Sequence, residues 1–248
     1  MTALFRLDGK AALVTGATGG IGAAIARMLH AQGCRVALTG RREADLAALA
    51  VELGEGAIVL PADLADPEAP AALIEQMEAA LGACDILVNN AGFTRDGLAL
   101  RMGDKDWSDV LEVDLTAPFR LARAALRGMM KRRSGRIVSI ASIVGVTGNA
   151  GQANYAAAKA GLIGMSKALA QEVAPRGVTV NVVAPGFVAT AMTDVLNDAQ
   201  KTTLLGRIPL ARMGTPDDVA AAVAYLSSAQ AGWVTGATIH VNGGMAMI

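Results

Sequence analysis

Tyr155 and Lys159 stand four positions apart in Asn154-Tyr155-Ala156-Ala157-Ala158-Lys159, inside a periodic stretch that predicts one long helix over 154–175. On a helix, i and i+4 side chains share a face, so the ammonium and the phenol meet there. A positive charge beside a phenol favours its ionised form. A phenol so placed can serve as general acid toward an oxygen that is gaining charge. Ser142 closes a predicted strand over 135–142, and its hydroxyl can donate to the same oxygen. Ser139 is the alternative hydroxyl in that strand, deeper in the run. A tyrosine–lysine pair taken alone reads as an ordinary surface helix; its company gives it chemical sense.

That company begins at the first predicted strand, 11–15, which runs into Thr15-Gly16-Ala17-Thr18-Gly19-Gly20-Ile21-Gly22 before a helix over 21–33. Gly16 permits a tight turn, Gly20 lets backbone approach a pyrophosphate, and Gly22 lets helix and strand lie close. The helix N-terminus then attracts the phosphates. Glycine-rich turns also join strands to helices for steric reasons alone, but the first β–α junction of an alternating chain is where a dinucleotide site belongs. The second strand, 35–40, ends in Thr39-Gly40-Arg41-Arg42. No carboxylate stands there to read a ribose 2′-hydroxyl, whereas a guanidinium pairs with a 2′-phosphate, so Arg41 points to NADPH rather than NADH. The bland alternative has both arginines solvating the start of the next helix.

The elements that must position these groups follow from the hydrophobic pattern. Short apolar runs predict strands at 11–15, 35–40, 57–61, 85–92, 135–142, 178–185 and 237–241. Helical patterns cover 21–33, 42–53, 67–81, 106–132 with Pro118 bending it, 154–175 and 216–228, and 186–214 is a mixed loop. Apolar strands alternating with helices imply a parallel sheet covered on both faces. The expectation is a Rossmann-type, doubly wound, seven-stranded parallel sheet in a three-layer αβα arrangement, one dinucleotide-binding domain over 1–248.

Composition narrows the classes. With 22 basic and 22 acidic residues the chain has no net charge, which argues against a general polyanion binder. Residues are 53% hydrophobic but only 3% aromatic, so small and aliphatic side chains must fill the core. Cys34 and Cys84 form no disulfide framework, and His30 and His240 form no metal site; His30 falls where a helix would end, which suits a capping role. No metal is expected. The first residues lack a signal-peptide pattern, and no run of about 18 apolar residues occurs. The expectation is a cytoplasmic protein beginning near Met1.

Together TGxxxGIG at 15–22, NNAG at 89–92, Ser142, Tyr155-xxx-Lys159 and Pro185-Gly186 resemble the short-chain dehydrogenase/reductase family over essentially the whole chain. The resemblance implies that Tyr155 donates the proton, Lys159 assists it and holds the nicotinamide ribose, and Ser142 orients a carbonyl. It places Gly16, Ala17, Thr18, Gly19, Gly20, Ile21, Gly22 and Arg41 around the phosphates. Asp63 and Leu64 would meet adenine, Asn90 (with Ala91 and Gly92) the adenine-side ribose, and Val188 the nicotinamide carboxamide, with Pro185, Gly186 and Thr190 in the same cofactor set. The segment after Pro185-Gly186 would be the substrate loop. Two positions depart from the family. Asp114 stands where most members carry an asparagine of the proton relay, and its carboxylate adds negative charge near Lys159. Gly19 replaces an arginine found before the second glycine, which leaves Arg41 to recognise the 2′-phosphate.

Residues 89–102, 151–187 and 240–248 are similar to the 3-oxoacyl-[acyl-carrier-protein] reductase subgroup. That likeness implies NADPH-dependent reduction of 3-oxoacyl-[acyl-carrier-protein] to the 3-hydroxyacyl product in fatty acid biosynthesis. It also implies docking of the acidic acyl carrier protein at Arg133 and Arg176, and a homotetramer built through 106–132, 154–174 and the last strand. Lys131-Arg132-Arg133 is a basic patch suited to such a partner, or a solvated helix end. Reduction of acetoacetyl-CoA or another small ketone is the alternative, because 186–214 carries little substrate signal. A non-catalytic nucleotide-binding regulator is the remote one, and intact Ser142, Tyr155 and Lys159 argue against it.

Overall fold

Side chains alternate across a strand, so a strand that is apolar at consecutive positions must be covered on both faces. The computed structural model describes residues 4–189 and 205–248; it buries five of its seven strands almost throughout and leaves the two at the sheet's edges half-buried. β1 (Ala11–Thr15), β2 (Arg35–Thr39), β3 (Ala57–Val59), β4 (Ile86–Asn89), β5 (Gly135–Ile140), β6 (Val178–Pro185) and β7 (Thr238–Val241) form one parallel sheet, ordered β3-β2-β1-β4-β5-β6-β7. Ala12, Val14, Val36, Leu38 and Val88 pack on one face against α1 (Gly20–Ala31) and α8 (Pro216–Ser227). Ala11, Leu13, Ala37, Leu87 and Ile137 pack on the other against α3 (Ala69–Leu81), α5 (Ala117–Arg132) and α7 (Ala153–Val173). The expected three-layer, doubly wound fold is what forms.

The strand order reverses between β1 and β4, and the sheet's carboxyl edge at that switch is where such folds bind ligands. Among the described residues the remaining α-helices are α2 (Glu43–Leu53), α4 (Asp104–Leu111) and α6 (Val144–Thr147). Two details differ from the sequence expectation. β5 stops at Ile140, so Ser142 lies just beyond the strand, where its Oγ accepts from Val144 N–H at 3.1 Å and starts α6. The single helix expected over 106–132 is two helices, α4 and α5, joined by a π turn over Glu112–Thr116. Pro118 has no N–H to give the carbonyl four residues back, that of Asp114, and its ring crowds it. The backbone widens there instead of bending.

His30 sits in the last turn of α1 with Nε2 2.8 Å from the Glu55 carbonyl, and so ties the helix end to the neighbouring loop. Cys34 and Cys84 are buried free thiols; burial pushes Cys34 up to about 12, so neither is a reactive thiolate. Among the described residues no helix is long and apolar enough to cross a membrane.

Candidate active site

The glycine loop and the segment after β4 are built against each other. Thr15 Oγ1 donates to Val88 O at 3.2 Å and accepts from the N–H groups of Asn90 and Ala91, both at 3.0 Å. Asn90 Nδ2 returns to the carbonyls of Thr15 at 2.9 Å and Gly16 at 3.2 Å. Gly16 holds φ at +63°, and a Cβ on it would meet Ala91 Cα at 2.9 Å. A Cβ on Gly22 would collide with the Gly16 carbonyl and with Asn90 Nδ2. The cradle therefore exists only because these positions lack side chains, and the N-terminus of α1 opens from it at Gly20. Arg42 caps the loop, donating to Thr18 O at 3.0 Å and pairing with Asp45 at 3.1 Å. Arg41, exposed beside it, has no ion-pair partner among the described residues.

At the same edge, one turn of α7 presents Tyr155 and Lys159 together, with Lys159 Nζ 5.4 Å from the tyrosine ring centre. Lys159 is 3% exposed, and Nζ lies 3.1 Å from both the Ile140 carbonyl and Asp114 Oδ2. Burial alone would lower the lysine's proton affinity; the Asp114 carboxylate and, after it, the Tyr155 oxygen together outweigh burial and hold the ammonium above its ordinary range. Burial pushes Asp114 up, against the pull of Lys159 and the Phe93 N–H. Ser142 joins this group through a close helix contact. A Cβ on Gly145 in α6 would fall 2.8 Å from the Lys159 backbone carbonyl carbon, so α6 lies directly on the Lys159 turn. Ser139, the other hydroxyl of that strand, is fully buried, and its Oγ accepts from Asn89 Nδ2 at 3.2 Å.

A phenol, a buried ammonium and a serine hydroxyl thus stand at the carboxyl edge beside a glycine cradle. A family model described as Enoyl-(Acyl carrier protein) reductase matches residues 16–246. Nodulation protein G of Rhizobium sp. (strain N33) is 60% identical over 245 residues, covering 99% of this chain and 100% of that protein. The 3-oxoacyl-[acyl-carrier-protein] reductase FabG of Vibrio cholerae serotype O1 is 52% identical, covering 98% and 99%. This chain is a short-chain dehydrogenase/reductase. Among solved structures, a putative NAD(P) dependent gluconate 5-dehydrogenase from Beutenbergia cavernae with bound NADP superposes at a TM-score of 0.92, with 40% identity over 97% of this chain and 98% of that one.

The other expected site residues of this short-chain dehydrogenase/reductase lie at varying distances from Tyr155. Asp63 is exposed and caps its own turn by accepting from Ala65 N–H, while Leu64 is 6% exposed and packs into the core beneath it. Val188, 8% exposed, bridges to Gly214, and Gly186 packs so closely on Asn242 that a Cβ would lie 2.8 Å from its Cα. Pro185 accepts from Ile143 N–H at 2.8 Å. Thr190 lies outside the described residues. Arg133 and Arg176 are near one another but far from Tyr155: Arg133 caps α5, donates to Pro175 O at 2.9 Å, and both residues sit just before β5 and β6 at the sheet's amino edge. From Tyr155 to Arg176 the chain runs 21 residues, roughly 30 Å of helix.

Some contributors carried no signal in the sequence. Asn154 is fully buried; it bonds the carbonyls of Arg95 and Asp106 at 3.0 and 3.1 Å and accepts from Tyr155 N–H at 2.8 Å, which fixes the start of α7. Gln152 reaches Asp96 at 3.1 Å, joining the loop after β4 to the same helix start. The adjacency of Asn154 to Tyr155 was the only hint available.

Proposed function

We propose that this reductase transfers hydride from NADPH to the carbonyl of a 3-oxoacyl thioester carried on acyl carrier protein, giving the 3-hydroxyacyl product for fatty acid biosynthesis. The observation that carries the proposal is the Tyr155–Lys159 turn seated beside Ser142 at the edge that also holds the glycine cradle. NADPH, when bound, supplies the hydride. Gly16, Gly20, Gly22 and the start of α1 suit its pyrophosphate, and exposed Arg41 suits a 2′-phosphate. Ser142 Oγ already accepts from Val144 N–H, which leaves its own proton to donate to the substrate oxygen. As that oxygen gains charge, Tyr155 delivers its proton and the carbonyl becomes a secondary alcohol. Lys159, held between Ile140 and Asp114, anchors the turn from below.

The FabG relatives at 52% identity support carbonyl chemistry over the carbon–carbon double bond named by the family model. Nodulation protein G names a process and leaves the substrate open. A carrier-protein partner bears on assembly as well. If it docks at Arg133 and Arg176, its acyl arm starts about 30 Å from Tyr155 of the same chain, and a neighbouring copy becomes the natural recipient. That requires at least one neighbouring copy, and exposed Phe119 and Met130 on α5, with wholly exposed Trp233 before β7, support the proposed homotetramer.

The test is NADPH oxidation with acetoacetyl-carrier protein and with acetoacetyl-CoA. Tyr155→Phe should cost at least about 100-fold on both, in the usual range for a general acid. A variant as fast as wild type refutes the proton donor. Charge reversal at Arg133 and Arg176 should slow the carrier-protein substrate alone; equal losses on both refute the docking.

A further inference from the structure

Asp114 occupies a position where an amide is usual, and its surroundings suit a carboxylate. The residue is fully buried in the π turn. Its Oδ1 accepts from Phe93 N–H at 3.0 Å, and its Oδ2 lies 3.1 Å from Lys159 Nζ. The loop after β4, the π turn and α7 all converge on this one group. Gly92 seals it: a Cβ there would stand 2.5 Å from Oδ2 and 3.1 Å from Nζ. Facing the carboxylate are Phe93 N–H from the loop and the Lys159 ammonium from α7, and the Tyr155 ring centre lies 5.4 Å from that ammonium. Among the described residues, no other charged side chain comes within ion-pair distance of Asp114.

We infer that Asp114 is the counter-ion and positioning residue of Lys159, so that proton delivery at Tyr155 works beside a neutral ion pair and not beside a bare cation. The inference rests on the reductase reading for its catalytic consequence, but its geometry stands independently. A carboxylate offers two acceptor oxygens, one for each donor; an amide offers one oxygen and an NH2, so either Phe93 or Lys159 would face a donor. The electrostatic effect follows from distance. The negative charge 3.1 Å from Nζ opposes the field that the ammonium exerts 5.4 Å away at the ring. Without that carboxylate, burial would draw the Lys159 ammonium toward its neutral form, so the charged lysine persists to higher pH with Asp114 present.

Two measurements test this. In wild-type protein labelled at lysine 15Nζ, free of cofactor and substrate, the Lys159 ammonium signal should persist above the ordinary lysine value of about 10.4. Its loss below that value, as expected of a desolvated lysine without a partner, overturns the inference. In Asp114→Asn, the alkaline limb of acetoacetyl-CoA reduction should move down by about one pH unit. A loss of turnover that is equal at every pH, with the limb unmoved, also overturns it. Should the variant not fold, the labelled wild type decides alone. Absence of any reductase activity in wild type would sink the proposed function and leave the ion pair to be judged by its own resonance.

Discussion

Replacing Lys159 by methionine keeps the volume of the side chain and removes its charge, and the consequence for stability can be worked from the structure. Asp114 would then be buried with its charge unpaired and Phe93 N–H as its one hydrogen-bond donor among the described residues. Breaking a buried pair by deleting one partner costs about 3–5 kcal/mol, a large part of the roughly 5–15 kcal/mol that holds a domain together. The cost depends on pH in a definite sense. Burial already raises the Asp114 carboxyl above its ordinary range with Lys159 present, and removing Lys159 raises it further. A group whose folded value exceeds its unfolded one contributes stability below the unfolded value and loses it as pH rises to the folded one. The destabilisation of Lys159→Met should thus be smallest near pH 4–5 and grow toward neutrality by up to about 1.4 kcal/mol per pH unit until the folded value is passed. Urea unfolding at pH 5 and pH 8, followed by circular dichroism, reads this as a midpoint drop of about 1 M or more at pH 8 and a smaller drop at pH 5. The double variant Asp114→Asn/Lys159→Met keeps an acceptor for Phe93 and removes the stranded charge, so it should recover most of the loss. Equal destabilisation at both pH values, or a double variant no better than the single one, would refute the ion-pair account.

Other consequences are simpler. Arg41→Ser should weaken NADPH binding at least tenfold while leaving NADH binding nearly unchanged, read by quenching or energy transfer to the bound nicotinamide; equal weakening of both would remove Arg41 from the 2′-phosphate role. Thr215→Ala should cost about 1 kcal/mol in urea unfolding, because Thr215 and Asp218 form a complete capping box at the start of α8, and a Thr215→Ser variant should keep most of it.

How much of this was legible depends on what leaves a local trace. The seven strands did, because burial on both faces forces consecutive apolar residues in the inner five, and only their ends were misjudged: Ala141 and Ser142 look like strand continuation but belong to the turn that leads into α6. The tyrosine–lysine turn did, because four-residue spacing on a helix is itself geometry. The π turn at 112–116 left only Pro118, which reads as a bend; that the chain widens instead depends on packing against α7. The glycines were readable as permissive positions but not by what crowds them. Gly145 reads as nothing in its short run, yet its missing Cβ lets α6 touch the Lys159 backbone.

Asp114 shows most plainly where a pattern stops and a fold begins. As a letter it marked a departure from a relay asparagine and promised negative charge near a lysine. The structure supplies what the letter lacked: a second donor, the Phe93 N–H, on the other oxygen, and a glycine at 92 that leaves room for both. Those two residues lie more than twenty positions upstream of Asp114, on a different element, and no periodicity links them to it. Their agreement makes the carboxylate a fitted part of the site. With its one oxygen on Phe93 N–H, an amide would turn its NH2 toward the Lys159 ammonium, which would keep the Ile140 carbonyl but lose its counter-charge, so the charge is bound to its surroundings by the backbone as well as by Lys159.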